Sequence, residues 1–160
     1  MITGSYDRTL RLWDLETGVV LKKMEGHRDW GHTVSNRSLA WTPDGTRLLS
    51  GGDRNDPTIR EWDPLTWQQV GHPWEGHTSG IYAITIDPTG TLVASASEDM
   101  DVRLWWLSDR QNIGIFEHSS SLNAVTFSFD GRHVYSGGQD NKVSEWAVPK
   151  SFHPKASFYS

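Results

Sequence analysis

The sequence predicts an all-β chain in which one four-stranded unit is repeated about four times. Three observations predict it. Trp13, Trp62, Trp105 and Trp146 recur at intervals of 49, 43 and 41 residues, and an Asp stands six residues before each: Asp7, Asp56, Asp99 and Asp140. Chance rarely holds an acid at one offset four times running, and a period in this range marks a repeat architecture. Between these marks lie short runs in which apolar and polar residues alternate with period two, divided by Gly-containing turns, the pattern of half-buried strands. No stretch carries the 3.6-residue apolar periodicity of an amphipathic helix.

The elements follow in chain order. The first unit opens inside its second strand, continues through a third strand at Leu10-Arg11-Leu12-Trp13, and after a polar turn reaches an outer strand at Val19-Val20-Leu21. The second places Trp41 at the end of a first strand, turns at Pro43-Asp44-Gly45, and has its third strand at Ile59-Arg60-Glu61-Trp62. The third is the clearest: Ile84-Thr85-Ile86, a turn at Pro88-Thr89-Gly90, Thr91-Leu92-Val93-Ala94-Ser95, then Val102-Arg103-Leu104-Trp105. The fourth repeats it with Val125-Thr126-Phe127, a turn at Phe129-Asp130-Gly131, and Arg132-His133-Val134-Tyr135-Ser136. The turn glycines supply the positive φ that such hairpins need. His77 precedes Trp105 by 28 residues, and His118 precedes Trp146 by the same distance. The unit boundaries are therefore about 1–26 (partial), 27–75, 76–116 and 117–148, with a tail at 149–160. Four short strands per repeat, marked by Gly-His and Trp-Asp, are the pattern of β-propeller blades.

Composition narrows the function. The chain has 160 residues and a net charge of -5, which argues against nucleic-acid binding driven by phosphate neutralisation. A mean hydropathy of -0.56 and the lack of any long apolar run argue against a membrane span. Zero cysteines exclude disulfides and thiolate metal sites, and fit a reducing compartment. A cytoplasmic location is expected, with the nucleus as the alternative.

The segments "ITGSYDRTLRLWDLETG" and "EGHTSGIYAITIDPTGTLVASASEDMDVRLW" resemble the repeats of the WD-repeat β-propeller family, and the resemblance covers nearly all of residues 1–148. In style the array is similar to the WD-repeat arrays of filamentous fungi. The resemblance implies a hydrogen-bonded tetrad of His, Ser or Thr, Asp and Trp in each blade. Carried over residue by residue, the sets are His77, Ser95, Asp99 and Trp105, then His118, Ser136, Asp140 and Trp146. The first unit offers Thr3, Asp7 and Trp13, and the second Ser50, Asp56 and Trp62 with two extra residues in its turn. The histidine of the second unit is His27 or His32. Counting back from Trp62 favours His32, whereas Glu25-Gly26-His27 mirrors Glu75-Gly76-His77 and tips the choice to His27.

Ser95, His77 and Asp99 also have the composition of a hydrolytic triad. The same trio recurs at Ser136, His118 and Asp140, and one active site per repeat is not how enzymes are built. A nucleophile needs a free hydroxyl facing substrate and an oxyanion site, so no catalytic residue, cofactor or metal site is assigned. No His-x-x-x-His motif or Asp/Glu cluster with ligand spacing joins the histidines. Gly51-Gly52 and Gly137-Gly138 lack the Lys and following helix of a phosphate loop and read as tight backbone at strand ends. Trp30, Trp67, Trp74 and Trp106 fall in loops or on outer strands, where outer-strand packing outweighs a role as interaction anchors.

In the family, partners dock on the face carrying the loop before the first strand and the turn before the third. By alignment that face holds Tyr6, Asn55, Glu98 and Gln139, just before the tetrad acids, and Arg37, Tyr82 and Asn123, at the start of the first strands. Residues 2–15 further resemble a box by which some WD-repeat proteins dock cullin–RING ligase adaptors, but Glu16 stands where that box has Arg. The function expected is a non-catalytic scaffold binding peptides or protein partners. An enzyme domain with hydrolytic groups at a central channel, and a purely structural piece of a longer propeller, are the alternatives. About three and a half to four blades do not close a ring, so open edges are expected to favour self-association.

Overall fold

In the computed structural model, residues 1–4, 9–25 and 37–152 are described. The fold among them is four antiparallel sheets: β1 (Ile2–Gly4), β2 (Thr9–Trp13) and β3 (Val20–Glu25); β4 (Ser38–Trp41), β5 (Leu48–Gly51) and β6 (Ile59–Trp62); β7 (Ile81–Ile86), β8 (Leu92–Ser97), β9 (Asp101–Trp106) and β10 (Asn112–Glu117); β11 (Leu122–Phe127), β12 (His133–Gly138) and β13 (Val143–Ala147). Every strand pairs with its sequence neighbour, as hairpin-connected strands do. One 3-10 turn, Lys150–Phe152, follows the last strand.

The turns between first and second strands explain the regularity. Gly45, Gly90 and Gly131 have φ near +70°, where a Cβ is costly. A side chain locks each turn: the Thr42 hydroxyl donates to Asp44 at 2.6 Å, the Ser128 hydroxyl to Asp130 at 2.6 Å, and the Thr89 hydroxyl to Asp87.

Three apolar layers hold the sheets face to face. Leu10, Leu48 and Trp62 join the first sheet to the second. Leu49, Ile59, Ile81, Ile84, Val93 and Trp105 join the second to the third, and Leu92, Ala94, Val102, Leu104, Leu122, Val125 and Val134 join the third to the fourth. β4 lies beside β7, and β7 beside β11, so the first strands of successive sheets line one side of the stack. This serial stacking, with no closed barrel, is the arrangement of a partial propeller.

Two segments depart from the expected strands. The second unit has no continuous fourth strand. Gln69 bridges to Trp62 and Trp74 to Ile59, with Gly71-His72-Pro73 between them, where Pro73 has no N–H for a ladder. Trp74 is therefore carried into the core rather than onto an outer strand, 2% exposed and 5.9 Å from the Trp105 ring. After the last strand, Val148 is buried and Phe152 packs edge-on against Trp106 at 5.8 Å. Trp41, aligned with the buried Phe127, is 41% exposed instead.

Candidate functional site

Beneath the loop end, the third unit holds a closed hydrogen-bond chain. The Trp105 indole N–H donates to Ser95 Oγ at 2.9 Å. Ser95 Oγ lies 2.7 Å from His77 Nε2, and His77 Nδ1 lies 2.8 Å from Asp99 Oδ2. A carboxylate only accepts, so Nδ1 donates, and in the neutral ring Nε2 accepts from the Ser95 hydroxyl. The Thr78 and Asp101 amides donate to the same Asp99 carboxylate. Burial pushes the Asp99 carboxyl up, but the hydrogen bond from His77, with those two amides, outweighs it and holds the group at about 2. Neighbouring Asp101 is shifted the opposite way, by burial and by the charge of Asp99.

The other units vary this chain. In the fourth, Trp146 donates to Ser136 at 2.9 Å and His118 Nε2 is 3.1 Å from the same hydroxyl, but His118 Nδ1 is 4.0 Å from Asp140. In the second, Trp62 donates to Ser50 at 2.8 Å, while Asp56 accepts from the Thr58 hydroxyl and from Arg60 at 2.9 Å. In the first, Trp13 donates to Thr3 at 2.8 Å. Asp7, His27 and His32 lie outside the described residues, as does Tyr6. The Ser95 hydroxyl is buried and engaged both as acceptor and as donor.

The loop end itself is built by β-bulges. Between Ile81 and Ala83 the register against β8 advances by one residue, leaving Tyr82 as the extra residue. Asn123 is the extra residue of the same irregularity in β11. A bulge leaves one residue out of the ladder and re-aims its side chain. Arg37 precedes β4, its amide donating to Gly51 at 3.0 Å, and its guanidinium lies 4.6 Å from the Tyr82 ring, in cation–π range. Asn55, Glu98 and Gln139 stand in the turns that meet the same end of the sheets, since Leu122 pairs Gly138 and Ile81 pairs Ser97. Asn55, Asn123 and Gln139 are exposed, and Arg37, Tyr82 and Glu98 half-buried.

The profile described as "WD domain, G-beta repeat" matches residues 1–14, 18–63, 67–105 and 110–147. The chain belongs to the WD-repeat family. It is similar to the nuclear distribution protein nudF of Aspergillus niger, 29% identical over 92% of this chain and 33% of that protein. It is also similar to autophagy-related protein 16 of Arabidopsis thaliana, 26% identical over 92% of this chain and 28% of that protein. It thus spans about a third of the length of these curated relatives.

Adjacent units contact one another through Glu98, which the repeat alignment marks, and through Arg54, Ser79 and Ser121, which it does not. Arg54, in the lengthened turn of the second unit, lies 3.7 Å from Glu98 of the third. The Ser79 hydroxyl donates to Glu98 at 2.8 Å, and Ser121 of the fourth unit donates to the Glu98 carbonyl at 3.1 Å. Glu98 is the hub of the loop end. For Arg54, Ser79 and Ser121 the only sequence signal was position near the aligned residues. Gly138 permits the close approach, because a Cβ there would sit 2.3 Å from the Ser121 carbonyl oxygen. Among the described residues, no group of three or more His, Asp or Glu is placed to hold a metal ion, and no helix is long and apolar enough to cross a membrane.

Proposed function

We propose that this chain is a non-catalytic protein-interaction module that takes peptides or protein segments on the loop end carrying Arg37, Asn55, Tyr82, Glu98, Asn123 and Gln139. Tyr6 belongs to the same aligned set. The supporting observation is the pair of bulges at Tyr82 and Asn123, which displaces one residue from the ladder in each of the third and fourth units, at one end of a rigid stack. Rigid elements presenting variable loops are the usual arrangement of a binding face. The polar groups below that end are engaged in internal bonds, which supports scaffolding rather than catalysis. Self-association through an uncovered side of the stack belongs to the same reading, as does a cytoplasmic or nuclear setting without nucleic-acid or membrane partners.

The test is a peptide library read by surface binding, with the triple variant Arg37→Ala, Tyr82→Ala, Asn123→Ala beside the parent. Peptides selected by the parent should bind the variant at least about tenfold more weakly, about 1.4 kcal/mol. Undiminished binding by a folded triple variant would remove the loop end from the function.

A further inference from the structure

We infer that the turn end of the second and third units is a second docking face, where a basic protein segment seats an apolar side chain in the seam between the two units and sets a lysine or arginine beside it. This face lies at the opposite end of the strands from the loop end, and it is independent of the loop-end reading.

Both units are flanked by a sheet on either side. Two open cavities meet on their seam. One, of about 180 Å³, lies between the turn 42–47 of the second unit and Thr89 of the third. The other, of about 260 Å³, runs along Thr91, Trp106 and Ser108. Gly90 and Leu107 line both, so the two form one trough. Gly90 keeps it open: its φ is +71°, and a Cβ there would meet Pro43 at 3.3 Å.

Two of the apolar walls depart from the other units. Trp106 stands where the first and second units have Asp14 and Asp63 of the Trp-Asp pair. Leu107 stands two residues after its repeat Trp, where the fourth unit has Val148. Val148 is buried, whereas Leu107 is half-buried. A partly covered Trp and Leu beside an open cavity make a pocket that desolvates one apolar side chain of a partner. Leu65, 90% exposed in the turn after β6, adds an apolar tip at the same end.

Charge selects the occupant. Asp44, Asp63 and Asp109 stand in the turns at this end and accept backbone amides from Thr46, Leu65 and Gln111. The Thr42 hydroxyl, and then the Thr46 amide, hold the Asp44 carboxyl below the ordinary range, and the Leu65 amide does the same for Asp63. Both are therefore charged at neutral pH. The two arginines of the seam, Arg47 and Arg110, both bind Glu61. Around the trough these four carboxylates outnumber the two guanidiniums, a balance that repels anionic lipid and steers a basic segment.

The probe is a random linear peptide library selected on the 160-residue chain and measured by surface binding, with circular dichroism as the readout of folding. Peptides carrying Leu, Met or Phe beside Lys or Arg should be selected, and their binding should weaken as salt rises. Thr46→Lys and Ser108→Lys, at exposed positions lining the trough, should each weaken them at least about tenfold. Thr46→Ser, Ser108→Ala and the loop-end triple variant should leave them unchanged. Ser108 lies outside the turn locked by Asp44, so Ser108→Lys decides the matter if Thr46→Lys disturbs the fold. A library that yields no peptide, or only peptides indifferent to both lysine variants, overturns the proposal and leaves the trough to a second copy or another occupant. Acidic peptides lost in the lysine variants' absence of change, or strengthened by them, overturn the assigned partner chemistry. Peptides held at the loop end are lost in the triple variant alone, so failure of either face is recognised separately.

Discussion

Arg110 of the third unit clasps Glu61 of the second, with Nη2 and Nε 3.0 and 3.1 Å from the same carboxylate oxygen. Arg47 holds the other oxygen at 3.0 Å. Arg110 stands five residues after its repeat Trp, the place taken by Gly18 and Trp67 in earlier units, and all three have φ between 57° and 69°. A left-handed arginine is a costly choice of residue. The ion pair it makes, across the seam between two sheets, offsets that cost.

Removing this clasp should loosen the stack. Arg110→Ala is expected to lower stability by about 1–3 kcal/mol, below the range of about 3–5 kcal/mol for breaking a fully buried pair, because Arg110 is partly exposed and Arg47 still faces Glu61. Arg110→Gly loses the same pair but relieves the backbone, and should be about 1 kcal/mol more stable than Arg110→Ala. Denaturant midpoints of the two variants check the order. An Ala variant as stable as the Gly variant would show that the left-handed backbone carries no cost here.

Asp99 should make stability depend on acid. Its folded value near 2 is below the ordinary 3.8, so the folded state holds the charged form more tightly than the unfolded chain does. The resulting stabilisation is complete above about pH 5 and fades as pH falls from about 4 toward 2. Melting temperatures of the parent and Asp99→Asn should therefore converge over that window. A gap that stays constant would assign the destabilisation to something other than the charge.

The fourth unit should tolerate the same change better. His118 and Asp140 are 4.0 Å apart where His77 and Asp99 are 2.8 Å apart. Asp99→Ala should cost about 1–3 kcal/mol, for an orphaned buried donor, and Asp140→Ala clearly less. Equal losses by calorimetry would mean that the two networks are energetically alike despite their geometry.

Two buried tryptophans should lose unequal stability on substitution by Phe. Trp74 Nε1 is buried without a hydrogen-bond partner among the described residues, whereas Trp105 Nε1 donates to Ser95. Trp74→Phe should cost under about 1.5 kcal/mol, as a near-conservative core swap does. Trp105→Phe should cost more, because Ser95 loses a donor and the pocket loses volume. Unfolding followed by denaturant titration decides between them.

Much of the fold was legible because repetition multiplies weak local signals. A lone Asp-Gly turn or period-two run is ambiguous, but Asp44-Gly45, Thr89-Gly90 and Asp130-Gly131 at matched offsets are not. The spacing from His77 to Trp105 brought together residues that touch in space. Trp74 reads as a loop or outer-strand residue favouring packing, but nothing local tells that the fourth strand breaks at Pro73 or that the indole, bridged to Ile59, is buried against Trp105. Glu98 was aligned to the loop end, but its bonds to Ser79, Arg54 and Ser121 join three units, and no alignment of units to one another displays contacts between them.

The sequence by itself determined most of the strands, their turns and the polar network of the third unit, because those interactions join residues at offsets the repeat keeps constant. Only the tertiary structure decided which side of each sheet is covered. Leu10, Ile59, Val102 and Val143 occupy the same place in the repeat, yet three are sealed and one faces outward. Burial depends on what the neighbouring sheet places opposite, and that is a property of the stack rather than of the unit.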